Sequence, residues 1–293
     1  MWTGIELLHA LQEIRLEFPF LEDLFTATSS RITYLAIPVA LILLFYWCIN
    51  KKQGEILALS FVPAILFTVV SKYGFDQPRP WELDPSIIRV EGVNAHGLSL
   101  PSGHTASAVS ALIPTSLFVR NRLLGIAMIA LMVLIIIGRL VLCVHTPLDI
   151  ISGAIVGLVA IVVSWKSMEV AYDDDRLYHI VNATYVVFFT LLFIVSLVYW
   201  DADPENIAWF AGIFYGMFIG RTLDRIYLRY EIPQTGVRKH VLRFFVGTVG
   251  CAAILFPFLV LLPVWSSPIG GALMMTWAFF IYPYVIIKKR VFC

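Results

Sequence analysis

About nine runs of mostly apolar residues, each roughly 17 to 23 long, follow one another through this sequence, and that length fits one crossing of a bilayer core. They lie near 32–49, 54–72, 104–119, 123–144, 147–165, 180–199, 206–221, 242–263 and 269–287. Charge is scarce between them. Charged residues make up 14% of the chain, against roughly 25% in soluble domains, and the mean hydropathy is +0.84. Too few charges remain to coat a water-facing surface, so the 293 residues are expected to form an all-α polytopic membrane helical bundle of about nine transmembrane helices.

Lysine and arginine, which favour cytoplasmic loops, give that bundle a direction. With the N-terminus outside and the C-terminus inside, 15 of the 21 basic residues fall on the inner side. These are Lys51, Lys52, Arg120, Arg122, Lys166, Arg176, Arg221, Arg225, Arg229, Arg238, Lys239, Arg243, Lys288, Lys289 and Arg290. The loop around 200–206 is acidic, as an outer loop should be. Three of the remaining basic residues break the trend by gathering on the outer face: Lys72 ends the second run, Arg79 follows it, and Arg139 lies late in the fourth. Ionisable groups at such positions are costly and usually serve a partner or a function. The basic stretch 221–243 is explained by the positive-inside trend, with anionic headgroups as a second reading.

The rest of the chain is plainer. Cys48, Cys143, Cys251 and Cys293 form no C-x-x-C pair and no zinc-ligand spacing, so buried thiols are expected. The first 30 residues lack the pattern of a signal peptide and read as an amphipathic helix lying on the outer leaflet. Gly153 and Gly157 make a G-x-x-x-G pair suited to close helix approach. Three segments result: 1–30 interfacial, 31–168 carrying the outer-face basic residues, and 169–293 adding further transmembrane helices. The net charge of +1 points to no nucleic-acid partner.

Chemistry concentrates in two outer loops, KYGFDQPRPW through LPSGHTAS, and GRLVLCVHTPLD. Lys72, Arg79 and Arg139 supply positive charge and N–H donors, and the arginine fork matches phosphate oxygens. Ser102 is placed to cap a helix whose first amides, from Gly103 onward, attract anions. Two histidines divide the remaining work: one imidazole attacks phosphorus while the other protonates the departing oxygen, with neither metal nor cofactor required. His145 and Asp149 are four apart on one helix face, so the carboxylate can fix the imidazole tautomer. His104 has no such carboxylate nearby in sequence and suits the acid role. Thr146-Pro147-Leu148-Asp149 also reads as a helix cap, and the two roles of Asp149 are compatible. His96 and Trp81 are loop residues, the latter placed to brace the loop or to line a lipid entrance.

In these residues the sequence resembles the type 2 phosphatidic acid phosphatase superfamily, with its signature K-x6-R-P, P-S-G-H and S-R-x5-H-x3-D. The three parts stand here as Lys72 to Arg79-Pro80, Pro101 to His104, and Gly138-Arg139 through His145 to Asp149. Gly138 replaces the signature serine and removes a hydroxyl contact to phosphate. The resemblance implies His145 as nucleophile, His104 as general acid and Asp149 as partner of His145, with Lys72, Arg79, Ser102, Gly103 and Arg139 holding the phosphate. The nine-span layout is also similar to those of glucose-6-phosphatases and sphingosine-phosphate phosphatases.

The expected activity is hydrolysis of a lipid phosphate or lipid diphosphate at the outer face, through a phosphohistidine. A phosphotransferase that passes the phosphate to a lipid or sugar hydroxyl is the second reading, and a non-enzymatic transporter or scaffold the third. Isoprenoid diphosphates, phosphatidic acid-like lipids, sphingoid phosphates and sugar phosphates are the candidate substrates, and membrane lipids and a second copy of the chain the candidate partners. A bacterial cytoplasmic membrane with an outward-facing site fits the charge pattern, as does an endoplasmic reticulum membrane with a lumenal site.

Overall fold

The computed structural model describes residues 4–30, 32–93, 95, 97–263 and 266–289. His96, Arg31, Arg290 and Cys293 fall outside the described residues. Those described form an all-helical chain that gathers into two compact units, residues 1–39 with 59–163, and residues 40–58 with 164–293. Helices α4 and α8, below, contribute to both.

Two short helices open the first unit, α1 (Ile5–Glu17) and α2 (Phe20–Thr28). The α1 helix is turned unusually. Its buried residues are Leu8, Gln12 and Arg15, whereas Leu7, Ile14 and Leu16 are exposed. The polar side is occupied by the long loop before residue 103: Gln12 donates to Ser86 O at 3.1 Å and accepts from Ile88 N at 2.6 Å, and Arg15 donates to Ile88 O at 3.2 Å. Gln12 and Arg15 thus turn toward the protein's own backbone, while apolar side chains of α1 face outward.

Next come α3 (Ile37–Leu44), flanked by π-helical turns, α4 (Lys51–Phe75) and the short α5 (Pro80–Leu83). Helix α4 is buried along almost its whole length, as a helix apolar all round should be. Helix α6 (Gly103–Phe118) starts where it does because Ser102 Oγ accepts from Thr105 N at 3.4 Å and from Thr105 Oγ1 at 3.0 Å. After α7 (Arg122–Val141), α8 (Pro147–Ala171) begins at Pro147, which has no amide hydrogen to leave unpaired. The glycine pair of α8 does what its spacing predicts. A Cβ on Gly153 would lie 2.5 Å from Ser102 O, and one on Gly157 would lie 2.7 Å from Val109 Cγ1, so only glycine lets α8 close on α6.

The second unit is built from α9 (Asp175–Tyr199), α10 (Pro204–Leu223), α11 (Val237–Phe256) and α12 (Ser267–Thr276), which runs on to Lys288. Gly212 and Gly216 bring α10 onto α12: added Cβ atoms would fall 2.1 Å from Pro268 O and 2.3 Å from Ala272 O. The basic stretch 221–243 finds partners within the protein. Arg221 is buried and pairs with Glu55 at 2.8 Å, while Tyr178 Oη donates to the same carboxylate at 2.8 Å. Arg225 and Arg229 each meet Asp175 at 2.6 Å, and Arg243 donates to Trp47 O at 3.1 Å. Four of those cations therefore serve this unit's own interior and surface pairs.

Among the described residues, seven helical stretches are long and apolar enough to cross a bilayer: Phe20–Ile49, Lys51–Leu83, Arg122–Val141, Pro147–Ala171, Asp175–Tyr199, Val237–Leu261 and Ser267–Lys288. Seven of the nine expected runs meet that length and apolarity. The run near 104–119 folds as the 16 residues of α6, about 24 Å at 1.5 Å per residue, shorter than a bilayer core. The run near 206–221 folds as α10, whose glycines, Trp209, Tyr215 and Arg221 dilute its hydropathy.

Candidate active site

Three separate stretches of the first unit bring the chemistry-bearing residues together. His145 sits in the turn between α7 and α8, buried to 2% exposure. Its Nδ1 lies 3.4 Å from Asp149 Oδ2 and 3.4 Å from Ser99 Oγ. The same Asp149 oxygen accepts from Ser99 Oγ at 2.5 Å and from Thr146 N at 2.7 Å, and Thr146 Oγ1 accepts from Asp149 N at 3.3 Å. Asp149 thus caps α8 and faces the imidazole at once. Its other oxygen, Oδ1, is buried without a hydrogen-bond partner among the described residues.

Arg79 also meets the ring. Its Nη1 is 3.4 Å from Nδ1 and 3.2 Å from Nε2 of His145, so the guanidinium lies against the imidazole and reaches both nitrogens. The same Nη1 donates to Val144 O at 2.8 Å, and Nε donates to Gly97 O at 2.8 Å. Lys72 Nζ donates to Ser99 O at 3.2 Å and also to Leu98 O. These cations hold the end of the long loop beside His145. Trp81 braces the loop's other end, its ring facing Arg79 at 5.9 Å and Arg89 at 5.2 Å.

His145 lies outside the membrane-spanning stretches. Burial and the charges of Arg79, Arg139 and Lys72 together hold its imidazole well below the ordinary histidine range. It is neutral at neutral pH, and its lone pair faces Arg79 Nη1, which can only donate. With Nδ1 turned to the carboxylate, Nε2 is the nitrogen that carries that lone pair.

His104 stands at the start of α6, next to Ser102 and Gly103, and within electrostatic reach of Arg139, His145 and Arg79. Its Nε2 lies 3.1 Å from Ser29 O, and its ring is stacked on Tyr34 with centroids 4.6 Å apart and planes 25° apart. Arg139, in the last turn of α7, is fully buried and interacts electrostatically with Arg79 and Tyr34. Gly138 beside it has a steric reason. A Cβ there would fall 2.8 Å from Phe25 Cδ1 and 3.1 Å from Thr28 Oγ1, because α2 packs directly on this turn.

All eight expected site residues therefore gather in the first unit. Three participants went unread in the sequence. Ser99 stands three residues before Ser102, where it looks like ordinary loop polarity. Ser29 and Tyr34 are some seventy residues from His104, and no local pattern links them to it. Among the described residues, no group of three or more His, Cys, Asp and Glu side chains could hold a metal ion.

With this geometry in place, comparison with known proteins is informative. An undecaprenyl-diphosphatase of Sulfolobus acidocaldarius is 36% identical over 125 residues, which is 42% of this chain and 59% of that protein. The match thus spans less than two thirds of the relative's length. No solved structure matches. The family model described as "PAP2 superfamily" matches residues 53–173, and the one described as "PAP2 superfamily phosphatase, transmembrane extension" matches residues 208–291. The first stretch holds the two histidines and the second holds most of α10 to α12, and the chain belongs to the PAP2 superfamily.

Proposed function

We propose that this protein is an integral-membrane phosphatase that hydrolyses a lipid phosphate or lipid diphosphate through a phosphohistidine on His145. The observation that carries this reading is a neutral, buried imidazole in contact with both the Arg79 guanidinium and the Ser99–Asp149 pair. His145 Nε2 attacks phosphorus, and the phosphorus–oxygen bond to the leaving group breaks as the phosphorus–nitrogen bond forms. His104 gives its proton to the departing oxygen. Asp149 offsets the charge that His145 acquires, while Arg79, Arg139 and Lys72 with the first amides of α6 face the charge spread over the phosphoryl oxygens. Neutral His104 then takes a proton from water, the water oxygen attacks phosphorus, and the bond to His145 breaks to release inorganic phosphate.

The excess of basic residues on one set of loops favours a site on the non-cytoplasmic face, with 31–168 as catalytic core and 169–293 as additional helices. Counting α6 and α10 with the seven longer stretches gives nine crossings, N-terminus outside. The name of the Sulfolobus relative makes a polyprenyl diphosphate the first substrate to try.

The test is phosphate release by the detergent-purified protein from a polyprenyl diphosphate, phosphatidic acid, a sphingoid phosphate and a sugar phosphate, with His145→Ala as control. Release that falls by about 10⁴-fold or more in the folded variant is the expected result. Equal activity in the variant sinks the nucleophile assignment. Release from none of the four shifts the reading to transfer onto a hydroxyl acceptor.

A further inference from the structure

The part of the chain that reaches His104 most closely carries none of the signature residues. Ser29 O faces His104 Nε2 at 3.1 Å, and a carbonyl oxygen can only accept, so this nitrogen bears a hydrogen. Nδ1 is then the nitrogen left to hand over a proton. The Tyr34 ring covers one face of the imidazole at a centroid distance of 4.6 Å. Both neighbours favour the imidazolium, the carbonyl by a charge-assisted hydrogen bond and the ring by its negative face, against burial and the Arg139 charge, which oppose it.

The same segment is seated by Gly138. Thr28 Oγ1 donates to Phe25 O at 2.9 Å, which closes the end of α2, and Phe25 lies where any side chain at 138 would have to go. Ser107 Oγ donates to Tyr34 O at 2.7 Å, tying Tyr34 to the same helix that carries His104. The segment is therefore fixed at both ends, against α7 through Gly138 and against α6 through Ser107.

We propose that Ser29 and Tyr34 are positioning residues for the general acid: the Ser29 carbonyl sets the tautomer of His104, the Tyr34 ring sets its plane, and Gly138 admits the segment that carries them. They do for His104 what Asp149 does for His145. In the proton-transfer step the Nδ1 hydrogen passes to the leaving oxygen as the phosphorus–oxygen bond breaks, and His104 is left neutral with its Nε2 hydrogen still on Ser29. This inference rests on the phosphatase reading.

The experiment compares two substrates on the full-length protein in detergent. One is an alkyl phosphate lipid, whose alkoxide must be protonated to leave. The other is p-nitrophenyl phosphate, whose phenolate leaves without a proton. Tyr34→Leu should lower kcat/KM, which reports the step in which the leaving group departs, on the alkyl ester by about 10- to 100-fold more than on the aryl ester, the range expected for part of a general-acid contribution. Tyr34→Phe keeps the stacked ring and should stay within about threefold of wild type on both. Gly138→Ser, which displaces Phe25, should reproduce the selective loss. Because the readout is a ratio between substrates, a partly folded preparation does not disturb it. Equal losses on the two esters, or none, in an active wild-type background overturn the proposal and leave the phosphatase reading intact. A wild type that hydrolyses neither ester overturns both.

Discussion

Replacing Asp149 by asparagine separates its two jobs, because the amide keeps one and loses the other. The amide oxygen can still accept from Thr146 N and Ser99 Oγ, which now meet the carboxylate at 2.7 and 2.5 Å, and asparagine caps about as well as aspartate, so the start of α8 survives. What disappears is the negative charge 3.4 Å from His145 Nδ1. At that separation a full unit of charge on the ring is worth roughly 5 kcal/mol with an effective dielectric of about 20. If about half of that charge has developed at the transition state, roughly 2.5 kcal/mol is lost. The expected fall in kcat runs from roughly 70-fold to a few thousand-fold, the upper end applying if the charge is complete. Asp149→Ala is the companion variant. It strands the two buried donors at about 1–3 kcal/mol each and should lower the melting temperature as well as the rate. The assay is kcat at saturating substrate beside thermal unfolding in the same detergent. An asparagine variant within threefold of wild-type kcat would reduce Asp149 to a helix cap.

Further outcomes follow from the same geometry. Because burial and three nearby cations depress the His145 pKa, its protonation begins only in more acid solution; the acid limb of kcat/KM belonging to it should lie below about pH 6.5, after correction for the ionisation of the substrate. Arg79→Gln removes one of the depressing charges and should move that limb upward, and a limb that does not move contradicts the contact. Glu55→Gln leaves Arg221 buried with a weakened partner, which should cost about 3–5 kcal/mol, and adding Arg221→Met should recover part of it; unchanged unfolding in the single variant refutes a structural role for the pair. Vanadate, which adopts the five-coordinate geometry of phosphoryl transfer, should compete with substrate, and failure to do so counts against in-line attack.

The legible part of this molecule is where chemistry constrains short stretches of chain. Lys72 to Arg79 and Arg139 to Asp149 are spaced by one helix end and one tight turn, so their convergence can be read locally. His145 and Asp149 on one face needed only the helical repeat. Tyr34 and Ser29 were not legible, since their contact with His104 depends on α2 packing against α7, a long-range event that leaves no periodicity behind. The absent serine at 138 was legible as a lost phosphate contact, but its second role as the clearance for Phe25 was not. Hydropathy found the helices but could not tell a helix bathed in lipid from α6, which is short and whose residues are buried within the protein. Positive-inside counting likewise placed Arg221 and Arg243 on the inner side, but could not say that both are buried.

The clearance at Gly138 ties the history of two distant positions together. A side chain at 138 and a ring at 25 claim the same volume, so they are mutually exclusive occupants. A lineage that regains the serine has to shrink residue 25 or shift α2, and in shifting α2 it moves the segment that touches His104. Positions 25 and 138 should therefore change as a pair among relatives that keep this N-terminal segment, and 138 should be free to vary alone in those that lack it.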